Sequence, residues 1–165
     1  MPFTSTRTRK RLVRARRIRE RESTVQAPVR NRLFFRFDAS LRIAGIGAWH
    51  ENITQVTGLV PFQAHRKGEA RSRFSTKLGV WPEDQWRLQS PLPESASLEE
   101  HVQWLWQAIA PHRRYFEGLI AQATWADLCL GCLSESVYPF FGIKAETLEI
   151  TRALPLGLSF NFTVT

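Results

Sequence analysis

The sequence has little cysteine and no compact set of metal ligands. Its 165 residues include two cysteines, Cys129 and Cys132, and four histidines. On a strand, a spacing of three residues puts the two thiols on opposite faces, with α-carbons roughly 10 Å apart, whereas a disulfide needs α-carbons about 4.4–6.8 Å apart. No second Cys or His pair has the spacing of a zinc site. We therefore predict two buried free thiols, with no metal and no cofactor.

Long apolar runs and catalytic patterns are also missing. The chain lacks the run of about 18–20 apolar residues that a membrane span needs, and its N-terminus has no apolar stretch for a signal peptide. The histidines His50, His65, His101 and His112 are scattered, and none falls in a pattern of nucleophile, base and orienting group. These absences predict a cytoplasmic protein with no catalytic residue and no membrane contact.

Acidic residues are almost absent from the first 32 positions, and this explains the net charge of +8. Residues 1–32 hold eleven basic and two acidic residues, whereas residues 33–165 hold twelve basic and thirteen acidic ones. The same segment has few large apolar residues, so it cannot bury enough surface to offset its chain entropy. We predict a basic tail at 1–32, disordered or helical, followed by a single folded domain at 33–165.

Several roles fit this tail. Its cations can bind nucleic acid non-specifically through counterion release. The candidate contacts are Arg9, Lys10, Arg11, Arg14, Arg16 and Arg17. A segment rich in Arg, Ser and Thr and poor in acids is also typical of a transit peptide. Two plainer alternatives are a solubilising extension and upstream DNA translated ahead of the true start of the gene.

The remainder of the chain alternates in the manner of strands. Residues 35–43 place Phe35, Phe37, Ala39, Leu41 and Ile43 on one face. Residues 156–164 alternate in the same way, and "WRLQS" at 86–90 is a shorter copy. A period of two over such lengths indicates half-buried strands with one face on a core. The run 125–133 is apolar on both faces, which predicts a central strand.

Helix signals lie between these strands. "HENITQVTGLVP" places Ile53 and Val56 one turn apart and stops at Gly58. "SLEE" at 97–100 is a capping box, followed by an apolar stripe at helical spacing, and Pro111 suits the start of a second helix. A short helix at about 145–153 precedes the final strand. We predict an α+β two-layer sandwich, with a ferredoxin-like mixed sheet and helices on one face.

The order of several motifs resembles a known family. The motifs are "ENITQVTGLVPFQAHRKGE", "WRLQSPL", "SLEEHVQWL", "LCLGCLSE" and "LGLSF". Their order is similar to that of the bacterial family called domain of unknown function 4279, from about Phe35 to Val164. The resemblance implies a small α/β domain with no established activity. Family members commonly end on an acidic and an aromatic residue, where this chain has Asn161 and Phe162, so no role that needs that carboxylate is expected.

A basic cluster surrounds a glycine in "HRKGEARSR", residues 65–73. A phosphate-binding P-loop needs a Gly-rich turn ending in Lys-Ser or Lys-Thr, which this segment lacks. It remains a candidate site for an acidic partner or an anion. The residues concerned are His65, Arg66, Lys67, Gly68, Arg71 and Arg73. In the alternative interpretation, His65 and Arg66 pack on Phe74 or Trp81, Lys67 and Arg71 pair with carboxylates, and Gly68 is a turn with positive φ.

The polar faces of the predicted strands form a second candidate surface. It contains Arg36, Arg42, Arg87 and Asn161. Sheets that bind RNA add aromatic side chains that stack on bases, and this face has too few of them. The face is therefore expected to be solvated or to contact a protein.

These observations favour a non-enzymatic, cytoplasmic bacterial domain that binds a protein partner, of the immunity or accessory type. It would use the loop at 62–82 or the polar face of the sheet. The alternative is a nucleic-acid-associated protein that binds non-specifically through its Arg-rich tail. Deleting residues 1–32 distinguishes the two, since only the second function depends on the tail.

Overall fold

The computed structural model describes residues 35–72, 74–136 and 141–165. The basic tail lies outside these ranges, and so do its candidate nucleic-acid contacts Arg9, Lys10, Arg11, Arg14, Arg16 and Arg17. Arg73 of the basic cluster also lies outside them. The division into a tail at 1–32 and one domain at 33–165 therefore stays a prediction.

The described residues contain one sheet of five strands. They are β1 (Phe35–Ala44), β2 (Gln63–His65), β3 (Gln85–Gln89), β4 (Trp125–Ser134) and β5 (Gly157–Val164). Their order across the sheet is β2-β3-β1-β4-β5. The first four strands pair in antiparallel fashion, whereas β5 joins β4 in parallel. The sheet is therefore mixed, as the sequence predicted.

Helices connect these strands. They are α1 (Asn52–Thr57), α2 (Leu98–Ile109), α3 (Arg113–Ile120) and α4 (Glu149–Ala153). Up to β4 the elements follow the sequence β-α-β-β-α-β of ferredoxin-like folds, with α2 and α3 together supplying the second connection. The fifth strand extends that sheet beyond β4. The predicted α+β architecture is confirmed.

Local patterns explain most of these elements. On β1, Ala39, Leu41 and Ile43 alternate onto the core side and are fully buried. Helix α2 begins at the predicted capping box: the Ser97 hydroxyl accepts a hydrogen bond from the Glu100 N–H, and the Glu100 carboxylate accepts one from the Ser97 N–H. These two hydrogen bonds satisfy backbone N–H groups that have no acceptor within the helix. The start of α2 is therefore determined by residues 97–100 themselves.

Two details differ from the sequence-based expectation. In α1, Thr57 is buried and Val56 is exposed. The Thr57 hydroxyl donates to the Ile53 carbonyl, so its polar group is satisfied inside the core. Strand β2 was not predicted, because three residues with a single apolar member are too short to show a period of two.

The two cysteines lie on opposite faces of β4, as predicted. Cys129 is opposite Ser40, and Cys132 is opposite Phe37. Both are buried and free, and burial raises the pKa of the Cys132 thiol. Within the described ranges, no group of three or more His, Cys, Asp or Glu side chains is placed to hold a metal ion. None of the helices in those ranges has the length and apolarity to cross a bilayer.

One titratable side chain is part of the core. His101, on the inner face of α2, is buried, and neither ring nitrogen makes a hydrogen bond of ordinary geometry. Burial lowers its pKa, and the nearby Asp38 carboxylate, the Pro93 carbonyl and Glu100 oppose that shift only in part. The neutral imidazole is therefore the form that the fold favours.

We expect the free energy of unfolding to fall as the pH drops below about 6.5, the usual pKa of histidine in an unfolded chain. The unfolded state takes up the proton first, because the pKa of His101 is lowered only in the native state. The loss is up to about 1.4 kcal/mol per pH unit until the native pKa is reached. Urea unfolding at several pH values measures it. His101→Leu should make the profile less steep, with a part left to His65, whose pKa burial also lowers. A profile as steep as that of the unchanged chain contradicts the assignment.

Candidate functional site

The long connection between β2 and β3 closes on itself through its backbone. The Gly68 N–H donates to the Trp81 carbonyl at 2.8 Å, and the Trp81 N–H donates to the Glu69 carbonyl at 2.8 Å. The Arg71 N–H donates to the Gly79 carbonyl at 3.0 Å. We call residues 66–72 and 74–81 the arch. Because these bonds join residues about ten positions apart, they hold its two sides together, at the β2–β3 end of the sheet.

Aromatic and charged contacts fix the base of the arch. The His65 ring stacks on the Trp81 ring with centroids 3.7 Å apart, and burial lowers the pKa of His65. Arg66 pairs with Glu51, whereas the Arg71 guanidinium lies 5.0 Å from the Trp81 ring centroid. His65 thus packs on one of the two aromatic partners that we expected. For the two arginines the expectation was reversed. Arg66, which we expected on an aromatic ring, pairs with a carboxylate. Arg71, which we expected to pair with a carboxylate, lies over an aromatic ring.

Gly68 has the positive φ that the turn interpretation required, with φ 85. Gly68→Ala is expected to lower the free energy of unfolding by about 1 kcal/mol or more, because L side chains rarely adopt that conformation. Arg71→Glu should change stability by no more than about 1 kcal/mol, since its contacts are exposed. Thermal melts of both variants test this.

Gly118→Ala is the matched control. Gly118 lies within α3, and a β-carbon there would meet nothing within 4 Å. Alanine should therefore stabilise that helix by about 0.5–1 kcal/mol. If Gly68→Ala were silent while Arg71→Glu unfolded the domain, the arginine rather than the glycine would hold the arch.

The outer part of the arch is both apolar and basic. Phe74 is 98% exposed, and Leu78 and Val80 are exposed as well. The cations Lys67 and Lys77 belong to the same segment. The acidic residue of the arch, Glu69, accepts a hydrogen bond from the Arg66 N–H and so serves the turn itself. The sequence-based interpretation missed Phe74 as a surface residue. The sequence did contain a signal for its exposure: an apolar residue in a basic segment that shows neither the period of a strand nor that of a helix.

The strand registers bring the four predicted residues of the second surface onto one face of the sheet. These residues are Arg36 and Arg42 on β1, Arg87 on β3 and Asn161 on β5. Arg42 is opposite Arg87 on one side and Asp127 on the other. Asn161 is opposite Gly131, which is itself opposite Asp38. The polar face is therefore continuous from β3 to β5.

Each arginine of this face has a carboxylate partner. The Arg42 Nε and Nη2 donate to the two Asp127 oxygens at 2.9 and 2.6 Å, and this hydrogen bonding raises the pKa of Arg42. The Arg87 guanidinium lies 3.9 Å from Asp38. The Arg36 guanidinium lies 3.5 Å from Glu94. Because each positive charge is matched locally, this face does not form a strong anion-binding surface.

A small cleft lies at one end of the polar face. It has a volume of about 80 Å³, and its lining includes Arg36, Asp38, Glu94, Gly131, Asn161 and Thr163. Pockets that enclose drug-sized ligands measure about 300–1,000 Å³. The cleft has room for a few water molecules. The arch, rather than this cleft, is the more promising binding surface.

Comparison with known proteins gives a family but no characterised relative. No curated protein and no solved structure shows significant similarity to the chain. A family model described as Domain of unknown function (DUF4279) matches residues 35–165. This range includes every strand and helix described above, and it confirms the resemblance carried by the ordered motifs. The chain therefore belongs to the DUF4279 family of domains of unknown function.

Proposed function

We propose that this chain is a non-enzymatic protein-binding domain of the bacterial cytoplasm, of the immunity or accessory type, and that the arch is its binding surface. The observation that carries the proposal is Phe74, 98% exposed between the two hydrogen-bonded sides of the arch. Aromatic residues, phenylalanine among them, and arginine are enriched in the cores of protein interfaces. Little ordering entropy is lost on binding when the segment is already closed.

The charge of the arch defines the partner. Lys67, Arg71 and Lys77 are arranged along a segment whose acidic residue is already engaged with the backbone. A complementary partner presents an apolar pocket for the Phe74 ring, rimmed by carboxylates. Such complementarity mainly raises the association rate and the specificity. The polar face of the sheet is the weaker candidate, since its arginines already have partners.

The test begins with a photo-reactive phenylalanine analogue at position 74, which cross-links the partner in cells. The purified partner is then titrated with the unchanged chain and with Phe74→Ser and Arg71→Glu. Loss of a hot-spot aromatic costs about 2 kcal/mol, which corresponds to roughly 30-fold weaker binding. Val60→Ser is the matched control, because Val60 is exposed but lies outside the arch.

The outcomes separate the classes of partner. Equal affinities for Phe74→Ser and the control reject the arch as the binding surface. Vesicles of anionic phospholipid supply a second comparison. Suppose that the vesicles bind the unchanged chain but do not bind the Phe74→Ser variant, and that no protein is cross-linked at position 74. The arch then contacts membranes, and the proposal fails.

The alternative, a nucleic-acid-associated protein, is supported by the net charge of +9 in residues 1–32. It predicts non-specific binding to mixed-sequence DNA, with log affinity falling by about 0.9 per phosphate contact for each unit of log salt. A full-length variant with Gln at positions 9, 10, 11, 14, 16 and 17 should lose this binding. Retained affinity in that variant rejects the tail as the contact.

A further inference from the structure

The edge strand β5 lacks the features that usually protect an edge. It lies at one end of the sheet and pairs with β4 alone among the described strands. Its eight residues, Gly157–Val164, include no charged residue and no proline. Edge strands of monomeric proteins usually carry lysine, proline or a bulge, because their free N–H and C=O groups otherwise recruit another strand.

An apolar stripe on β5 is also left partly uncovered. Leu158, Phe160, Phe162 and Val164 share the core side of the strand, yet they are 44%, 50%, 52% and 50% exposed. The Phe160 and Phe162 rings are already parallel, with centroids 6.0 Å apart. By contrast, Leu41 on the central strand is fully buried. The stripe therefore continues the core surface past the point where the helices cover it.

We propose that β5 pairs in antiparallel fashion with β5 of a second copy, which joins two sheets into one of ten strands. A two-fold axis at Asn161 places Phe160 opposite the partner's Phe162. The same register places Leu158 opposite the partner's Val164, so every member of the stripe meets an apolar side chain. Aromatic pairs across antiparallel strands are among the stabilising ones. This interface is independent of the arch, which lies at the other end of the sheet.

The composition of β5 argues for a second copy rather than another protein. A partner strand must be uncharged, apolar on the core side and small or polar on the other side. The strand itself meets these requirements: on its polar side Ser159 faces the partner's Thr163, and Asn161 faces its own counterpart. The Ser159–Thr163 contact is made twice, as an isologous interface requires, and the Asn161 contact lies on the axis itself.

The buried area sets the expected strength. A Phe side chain offers about 150–250 Å² when fully exposed, so the half-exposed Phe160 and Phe162 contribute roughly 200 Å² per protomer. With Leu158, Val164 and the backbone edge, two copies bury roughly 1,000 Å². Specific interfaces bury about 1,200–2,000 Å², and those below this range are weak. We therefore expect a reversible dimer with a dissociation constant in the micromolar range.

Charge at position 161 tests both the interface and its register. Sedimentation velocity of the full chain, from low to high micromolar concentration, should show a monomer–dimer equilibrium. Asn161→Lys and Asn161→Glu should each weaken the dimer roughly tenfold or more, because like charges then face each other across the axis. An equal mixture of the two variants should restore dimers. Gln55→Lys is the control, since Gln55 is exposed on α1, outside β5, and the added charge should leave the dimer intact.

Two results overturn the proposal. One is a full chain that stays monomeric over the whole concentration range. The other is a dimer that neither charge variant weakens. Circular dichroism checks that the exposed substitutions leave the fold unchanged. If a charge variant does not fold, Asn161→Cys decides: facing residues of antiparallel strands lie about 4.5–5.5 Å apart, within disulfide range. An intermolecular disulfide is then expected on oxidation, and its absence rejects the register.

Discussion

Gly45→Ala should lower the free energy of unfolding by about 2–5 kcal/mol. Gly45 follows the last residue of β1 with φ 68, a conformation that costs an L residue about 1–2 kcal/mol. A β-carbon at this position would also overlap the Thr124 side chain, whose Cβ lies only 2.6 Å away. Such overpacking costs about 1–3 kcal/mol more. Urea unfolding of the variant measures the sum.

Gly47→Ala separates the two causes. Gly47 also has positive φ, at 53, but a β-carbon there would meet nothing within 4 Å. Gly47→Ala should therefore lower the free energy of unfolding by about 1–2 kcal/mol, from the backbone conformation alone. Equal losses at the two positions would show that the contact with Thr124 relaxes at no cost. The double variant Gly45→Ala/Thr124→Gly should lose less free energy of unfolding than the sum of the two single variants, because the second change removes the overlapping atoms.

Asp127→Ala should have the second large effect, a loss of about 2–3 kcal/mol in the free energy of unfolding. Asp127 accepts two hydrogen bonds from Arg42, whose Nη2 also donates to the Ser159 hydroxyl at 3.0 Å. The side chains of Arg42 and Asp127 are only 29% and 15% exposed. Removing the carboxylate leaves a partly buried guanidinium without its main partner, and desolvation of that charge is then not compensated.

The exposed pair Arg113–Glu117 provides the comparison. Its atoms are 2.8 Å apart, but its side chains are 52% and 40% exposed. Glu117→Ala should therefore lose only about 0.3–0.5 kcal/mol. Replacing both Arg42 and Asp127 with leucine should recover most of the loss, since well-packed apolar residues can substitute for a buried ion pair. Chemical denaturation of the four proteins tests the assignment, which fails if Asp127→Ala costs no more than Glu117→Ala.

Patterns that span only a few residues were sufficient to predict several helices and strands. The capping box of Ser97 and Glu100 involves residues three apart, so the start of α2 could be predicted from a few letters. Alternation likewise predicted β1 and β5. It did not predict that Phe160 and Phe162 are half exposed, because a period of two shows which side chains share a face. Whether a helix covers that face depends on the position of the strand in the sheet.

The sites depended on contacts between distant residues, and these were not predictable. The sequence placed Arg42 and Arg87 on a polar face, but their partners Asp127 and Asp38 become neighbours only through strand pairing. The arch is similar: composition showed a basic segment around Gly68. Its closure on Trp81, thirteen residues later, requires backbone hydrogen bonds that no local pattern reveals. That closure joins the two sides of the arch, and Phe74 lies exposed between them.

The position of β1 has a consequence for how the chain folds. The first of the described strands along the chain is the central one, and its two neighbours, β3 and β4, begin only at Gln85 and Trp125. Most of the sheet therefore forms between segments far apart in sequence, and such non-local pairing makes folding slower than in proteins dominated by local contacts. During synthesis on the ribosome, β1 has no antiparallel partner until β3 emerges. Its apolar side stays uncovered until α2 has been made, and exposed apolar surface of this kind makes an incomplete chain prone to aggregation.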